Sequence, residues 1–155
     1  MNVQIFVSAE THPDEPSRVV AWWMKRWFSH IGIIYNGVIY HHTGKGFWDC
    51  DLEEFKCHHK IKCIDITDRI TVSEDAVKYY LKGRLGVGYS RGQLAAILLP
   101  WLRKWFRNGS QKAICSESVA EFYNTCVGHT FDDTDFLAPD QVWDFINSIR
   151  PQSRT

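Results

Sequence analysis

The 155-residue chain has no stretch approaching the roughly 18 consecutive apolar residues a membrane-spanning helix needs. Its first residues, Met-Asn-Val-Gln-Ile-Phe-Val-Ser, also lack a basic region followed by a long apolar run. The expectation is a soluble protein made without a signal peptide, in the cytoplasm. Net charge is missing too: 18 basic residues balance 18 acidic ones. That removes a global electrostatic reason to bind nucleic acid or an anionic membrane surface. Five cysteines, odd in number and irregularly spaced, do not form a disulfide framework and suit a reducing compartment with free thiols. Internal repeats and low-complexity tracts are absent, so residues 1–155 are expected to form one domain, long enough to bury a core without staples.

The patterns that are present alternate between the strand and helix periods. Val3 to Ser8 reads as a strand, followed by a turn-rich stretch through Thr11, Pro13 and Pro16. Ser17 to Phe28 stays open: Trp22, Trp23 and Trp27 recur near helical spacing, whereas Val19 and Val20 suit a strand. Ser29 to Tyr35 and Val38 to Thr43 flank Asn36-Gly37, the dipeptide favoured in a two-residue type I′ hairpin turn. Lys60 to Thr67 reads as a further strand. Glu74 to Lys82 reads as a helix with Ser73 as N-cap and Gly83 beyond its end. Gln93 to Arg107 is helical in pattern, with Pro100 expected to kink or split it and Asn108-Gly109 marking a break. From about Glu117, Val119, Phe122, Tyr123 and Cys126 fall at i, i+3, i+4 and i+7 spacings, which turns Cys126 to the core, and Gly128 is placed to end that helix. A short helix over Pro139 to Ile149 closes the chain, and the class is α+β.

Cys115 stands where the apolar Ala113-Ile114 gives way to that amphipathic helix. The first turn of a helix has unpaired N–H groups and the positive end of the macrodipole, both of which favour a thiolate and can hold an oxyanion. A nucleophilic cysteine also needs a histidine base and a polar group to orient it, distant in sequence and adjacent in space. The hairpin supplies candidates. With a two-residue turn, Tyr35 faces Val38, Ile34 faces Ile39, Gly32 faces His41 and His30 faces Thr43. Alternation then puts His30 and His41 on one sheet face as diagonal neighbours and turns His42 to the other. Gly32, opposite His41, leaves room for an imidazole or a substrate.

Three segments carry a family likeness: Phe28-Ser29-His30-Ile31-Gly32-Ile33-Ile34, then His41-His42-Thr43-Gly44-Lys45-Gly46, then Ala113-Ile114-Cys115-Ser116-Glu117-Ser118-Val119. With them the chain resembles the circularly permuted branch of the NlpC/P60 superfamily of papain-like enzymes, in which the histidine strand precedes the cysteine helix. The resemblance spans most of the chain and implies an antiparallel sheet packed against helices. It implies Cys115 as nucleophile, His30 as base and His41 as third polar residue. It also implies Tyr89 and Ser116 in an oxyanion or substrate pocket, while Glu117, in the first helical turn, reads as capping chemistry. The implied activity is that of a cysteine hydrolase, a peptidase or amidase, or of an acyltransferase. Cell-wall peptides come first as substrate and lipid esters or amides second, with no cofactor. A wall role would need delivery by another agent, such as phage lysis.

Two other readings compete. Cys50, Cys57, His58, His59 and Cys63 crowd into a short stretch that invites a zinc site, but the gaps between the cysteines do not match the usual paired knuckles. A non-catalytic binding module on the same fold would use Trp22-Trp23-Met24-Lys25-Arg26-Trp27-Phe28 and Trp101-Leu102-Arg103-Lys104-Trp105-Phe106-Arg107. Most of these aromatics are expected in the core, with the bases solvated around them.

Overall fold

A computed structural model of the protein describes residues 1–105, 112–128 and 130–149. Strand β1 (Val3–Glu10) leads into helix α1 (Glu15–Met24). This settles the stretch the sequence left open. The Asp14 side chain accepts from the Ser17 N–H, Pro16 presets the first turn, and Lys25 in the left-handed region (φ 55°) stops the helix. Strands β2 (His30–Tyr35) and β3 (Val38–Thr43) form the expected hairpin, with Tyr35 opposite Val38 and Ile34 opposite Ile39. Both turn residues, Asn36 and Gly37, have positive φ, as a type I′ turn requires.

Beyond the hairpin the sequence reading was incomplete. Strand β4 (Gly46–Asp51) and helix α2 (Leu52–His58) were not anticipated; the Asp51 carboxylate caps α2 by accepting from the Glu53 and Glu54 N–H groups. Strand β5 (His59–Asp65) and a 3₁₀ turn (Thr67–Arg69) follow. Helix α3 (Glu74–Arg84) runs through Gly83 rather than ending before it. The short strand β6 (Gly88–Tyr89) precedes helix α4 (Arg91–Leu98), and Pro100 does separate this helix from a 3₁₀ helix (Pro100–Trp105). Asn108-Gly109, where a break was expected, lies outside the described residues. Strand β7 (Lys112–Ala113) pairs in parallel with β6 and delivers the chain to α5 (Cys115–Cys126), after which α6 (Pro139–Ser148) closes the described fold.

The class is α+β, with a five-stranded antiparallel sheet in the order β4-β3-β2-β1-β5. Its two faces bury different clusters. Val3, Ile5, Val7, Ile31, Ile33 and Tyr35 turn toward α5 and join Cys115, Val119, Phe122 and Cys126 in the main core. Phe6, Ile34 and Ile39 turn the other way and pack with Phe55 of α2. Alternating side chains on one strand therefore serve two hydrophobic layers, each removed from water by a helix.

The tryptophans overturn the expectation of a core role. Trp143 of α6 is buried, but Trp22, Trp23, Trp27, Trp101 and Trp105 are all exposed. Helix α1 turns Val20 and Met24 inward, which leaves Trp22 and Trp23 outside; an aromatic at near-helical spacing fixes a stripe, not which side of the helix is inside.

Candidate functional site

His30 opens β2 and His41 lies in β3, and their parity comes out as the hairpin register demands. The His30 Nε2 and His41 Nδ1 are 3.0 Å apart. His41 continues to Cys50, whose Sγ lies 3.9 Å from His41 Nε2. The facing His30 Nε2 and His41 Nδ1 share one hydrogen bond, in which one ring donates and the other accepts. The rings rest on aromatic neighbours: His30 against Phe6, and His41 against Phe55. Phe6 also fills the space over Gly32, where a Cβ would lie 2.6 Å from its ring. Gly32 is needed for the phenylalanine, not to leave room for an imidazole or a substrate.

Cys115 occupies the first turn of α5, on the opposite face of the sheet from the two imidazoles. All three nevertheless line one cavity of about 570 Å³. The backbone N–H groups of Ile31, the residue after His30, of Ser116 and of Cys115 itself act on the thiol and favour its charged form. Among the described residues no hydrogen bond joins the thiol to either imidazole.

Burial dominates the electrostatics. It pushes the Cys115 thiol up to about 11, against the pull of the Ile31, Ser116 and Cys115 N–H groups. It also holds His30 well below the usual imidazole value, helped by the neighbouring His41, His59 and His42, and brings His41 down to about 4, helped by His59. At neutral pH the Cys115 thiol and the His30 and His41 imidazoles are therefore neutral. The helix start does favour the thiolate, as the sequence argues, but desolvation outweighs it.

The remaining expected residues divide. Tyr89 lines the cavity, with its phenol pushed up by burial and its ring against His42. Ser116 also borders the cavity, but its hydroxyl donates to the Leu137 carbonyl, so only its backbone N–H faces the sulfur. Glu117 caps α5 through the Ile114 N–H, in keeping with the capping role read from sequence. His42 is buried on the α5 face and bonded through Nδ1 to the Ser118 hydroxyl at 3.0 Å. The five residues of the zinc reading do not converge: Cys57 and Cys63 are exposed, and among the described residues no three His, Cys, Asp or Glu side chains are grouped to hold a metal ion.

Sequence reasoning missed Ser8. It pairs with His30 across β1 and β2, lines the cavity, is fully buried, and its hydroxyl has no partner. A buried hydroxyl without a partner carries a desolvation cost that a substrate group can relieve. Its signal was present only as a polar residue within the apolar run Ile-Phe-Val-Ser-Ala. Comparison of the chain with known protein families and with curated proteins returns no match.

Proposed function

We propose that the protein is a cysteine-dependent acyl-transfer enzyme of permuted NlpC/P60 type, a hydrolase of amides or esters working through a thioester at Cys115. The observation that carries this reading is the single cavity in which a helix-start cysteine and a histidine oriented by a second histidine come together. In the reaction, His30 Nδ1 takes the proton from the Cys115 thiol as the sulfur bonds to the substrate carbonyl carbon. The carbonyl oxygen becomes an oxyanion held by backbone N–H groups at the start of α5. The tetrahedral intermediate then collapses, the bond to the leaving nitrogen or oxygen breaks, and His30 returns its proton to that atom. Water, activated by the same histidine, hydrolyses the thioester and frees the acid.

His41 orients His30, and the depressed imidazoles keep the base unprotonated. Because the resting thiol and imidazole are both neutral, activation occurs with substrate in place, when catalytic hydrogen bonds shorten. The cavity's apolar wall of Val20, Met24, Leu94 and Ile97 suits an acyl group with hydrocarbon character, and Ser8 offers it one hydroxyl. The test is labelling with a thiol-directed acyl electrophile, followed by mapping of the modified cysteine. Selective modification of Cys115 that is lost in His30→Ala supports the reading. Equal modification of Cys50, Cys57 and Cys63, with Cys115 untouched, overturns it in favour of a non-catalytic module.

A further inference from the structure

Two exposed aromatic segments lie far apart in sequence: α1 lines the cavity itself, and the Pro100–Trp105 3₁₀ helix follows directly on α4, which also lines it. Helix α1 contributes Val20, Trp23 and Met24 to its wall, and α4 contributes Leu94, Ile97 and Leu98 before leading directly into the Pro100–Trp105 3₁₀ helix. These elements present large indoles to water: Trp22 is 79% exposed, Trp101 69% and Trp105 70%, Trp27 and Leu99 are also exposed, and Trp23 is exposed at the cavity wall. Leaving so much aromatic surface wet is unfavourable, and contiguous exposed apolar patches mark interaction sites.

Charge indicates the occupant. The chain as a whole is neutral, but residues 15–28 and 100–105 carry Arg18, Lys25, Arg26, Arg103 and Lys104 against Glu15, and with Arg26 paired to Asp144 and Asp14 capping α1 the balance is still basic. Two lysines sit over indoles of the patch, Lys60 over Trp27 and Lys104 over Trp105, each at 5.3 Å. Indoles interleaved with ammonium and guanidinium groups match the boundary of a bilayer, where the ring enters the headgroup layer and the cation meets lipid phosphate. Both elements are short and lie on the protein body, and among the described residues no helix is long and apolar enough to cross a membrane.

We infer that α1 and the Pro100–Trp105 segment form a docking surface for an anionic lipid bilayer, laid beside the cavity so that the protein works on or at the membrane surface. The inference does not depend on Cys115 chemistry. Vesicle sedimentation of the full chain tests it, with phosphatidylcholine vesicles alone and with about one third phosphatidylglycerol. The expected result is binding to the anionic vesicles that is at least ~10-fold stronger than to the neutral ones and weakened by salt. Binding should fall ~10-fold in Trp22→Ala/Trp101→Ala and in Arg103→Glu/Lys104→Glu, while staying unchanged in Cys115→Ala and in Trp48→Ala, an exposed tryptophan on β4. Thermal melts confirm that these surface variants are folded. Absence of vesicle binding, equal binding by the Trp22→Ala/Trp101→Ala variant, or a patch-dependent dimer or single-strand nucleic acid complex formed in preference to vesicle binding would overturn it.

Discussion

Cys115 and Cys126 are the first and last residues of one helix, both are buried, and burial pushes both thiols up to about 11. What differs is the company. Around Cys126 burial acts alone, whereas three backbone N–H groups counter it at Cys115, which also opens on a cavity shared with His30 and His41. A depressed resting pKa is therefore not what distinguishes the candidate nucleophile. The difference lies in access, in donors arranged for negative charge, and in a nearby base.

The largest effect that separates the two cysteines is expected from their alanine variants. Cys115→Ala should abolish acyl labelling and any turnover, a loss of at least ~10³-fold, with the fold intact. Cys126→Ala should keep the labelling rate within about twofold and lower unfolding stability by about 1 kcal/mol, through loss of buried sulfur. Intact-mass kinetics and denaturant melts read both, and similar labelling losses in the two variants would erase the contrast.

The base comes next. His30→Ala should slow acylation by ~10²–10⁴-fold, and His41→Gln by a smaller factor, because His41 positions His30 without touching substrate. The same histidines set the acid limb. Protonation removes the base, and burial holds the His30 pKa well below the ordinary imidazole value of 6.5, so the rate should persist as pH falls through 6.5. A pH–rate profile centred at 6.5 would place the responsible histidine in solvent. In His41→Gln the acid limb should move upward, since one buried neighbour that opposes protonation of His30 is gone.

A smaller effect is expected at Ser8. Ser8→Ala should leave stability the same or slightly higher, since it removes a buried hydroxyl with no partner, and should slow acyl transfer by ~10-fold or less if that hydroxyl meets substrate. Kinetics and a melt on one sample separate these outcomes.

The smallest effect concerns stability alone. Burial raises the Glu117 carboxyl to about 8, above its unfolded value of 4.5. The folded state thus holds this proton more tightly, so the stabilising contribution is full below pH 4.5 and is lost as pH rises toward 8. Glu117→Gln keeps an acceptor for the Ile114 N–H and removes the titration, so it should raise stability at pH 8 by ~1 kcal/mol or more and change little at pH 4. Melts at the two pH values check it.

Legibility in the sequence followed the range of the interactions involved. The hairpin was legible because Asn36-Gly37 favours a two-residue type I′ turn, which sets the Tyr35–Val38 and Ile34–Ile39 pairings; the His30–His41 bond follows from the same alternation. The Cys115 helix could be read from its period. Helix α2 and strand β4 escaped because their signals are short and mixed: Asp51 caps a helix of only seven residues, and β4 exposes Trp48 and Asp49. The tryptophans were misassigned because hydropathy records what an indole prefers, not which side of α1 faces the sheet.

Local backbone chemistry in the sequence thus determined the α+β class, the hairpin register and the pairing of two imidazoles, since neighbours along the chain suffice to specify a turn and an alternation. Only the tertiary structure decided that Cys115 lies across the sheet from those imidazoles and lines one cavity with them. It also decided that burial keeps thiol and imidazoles neutral, that the Ser8 hydroxyl has no partner, and that six tryptophans face outward. Desolvation and exposure depend on which distant segments cover a group, and no local pattern of residues encodes that.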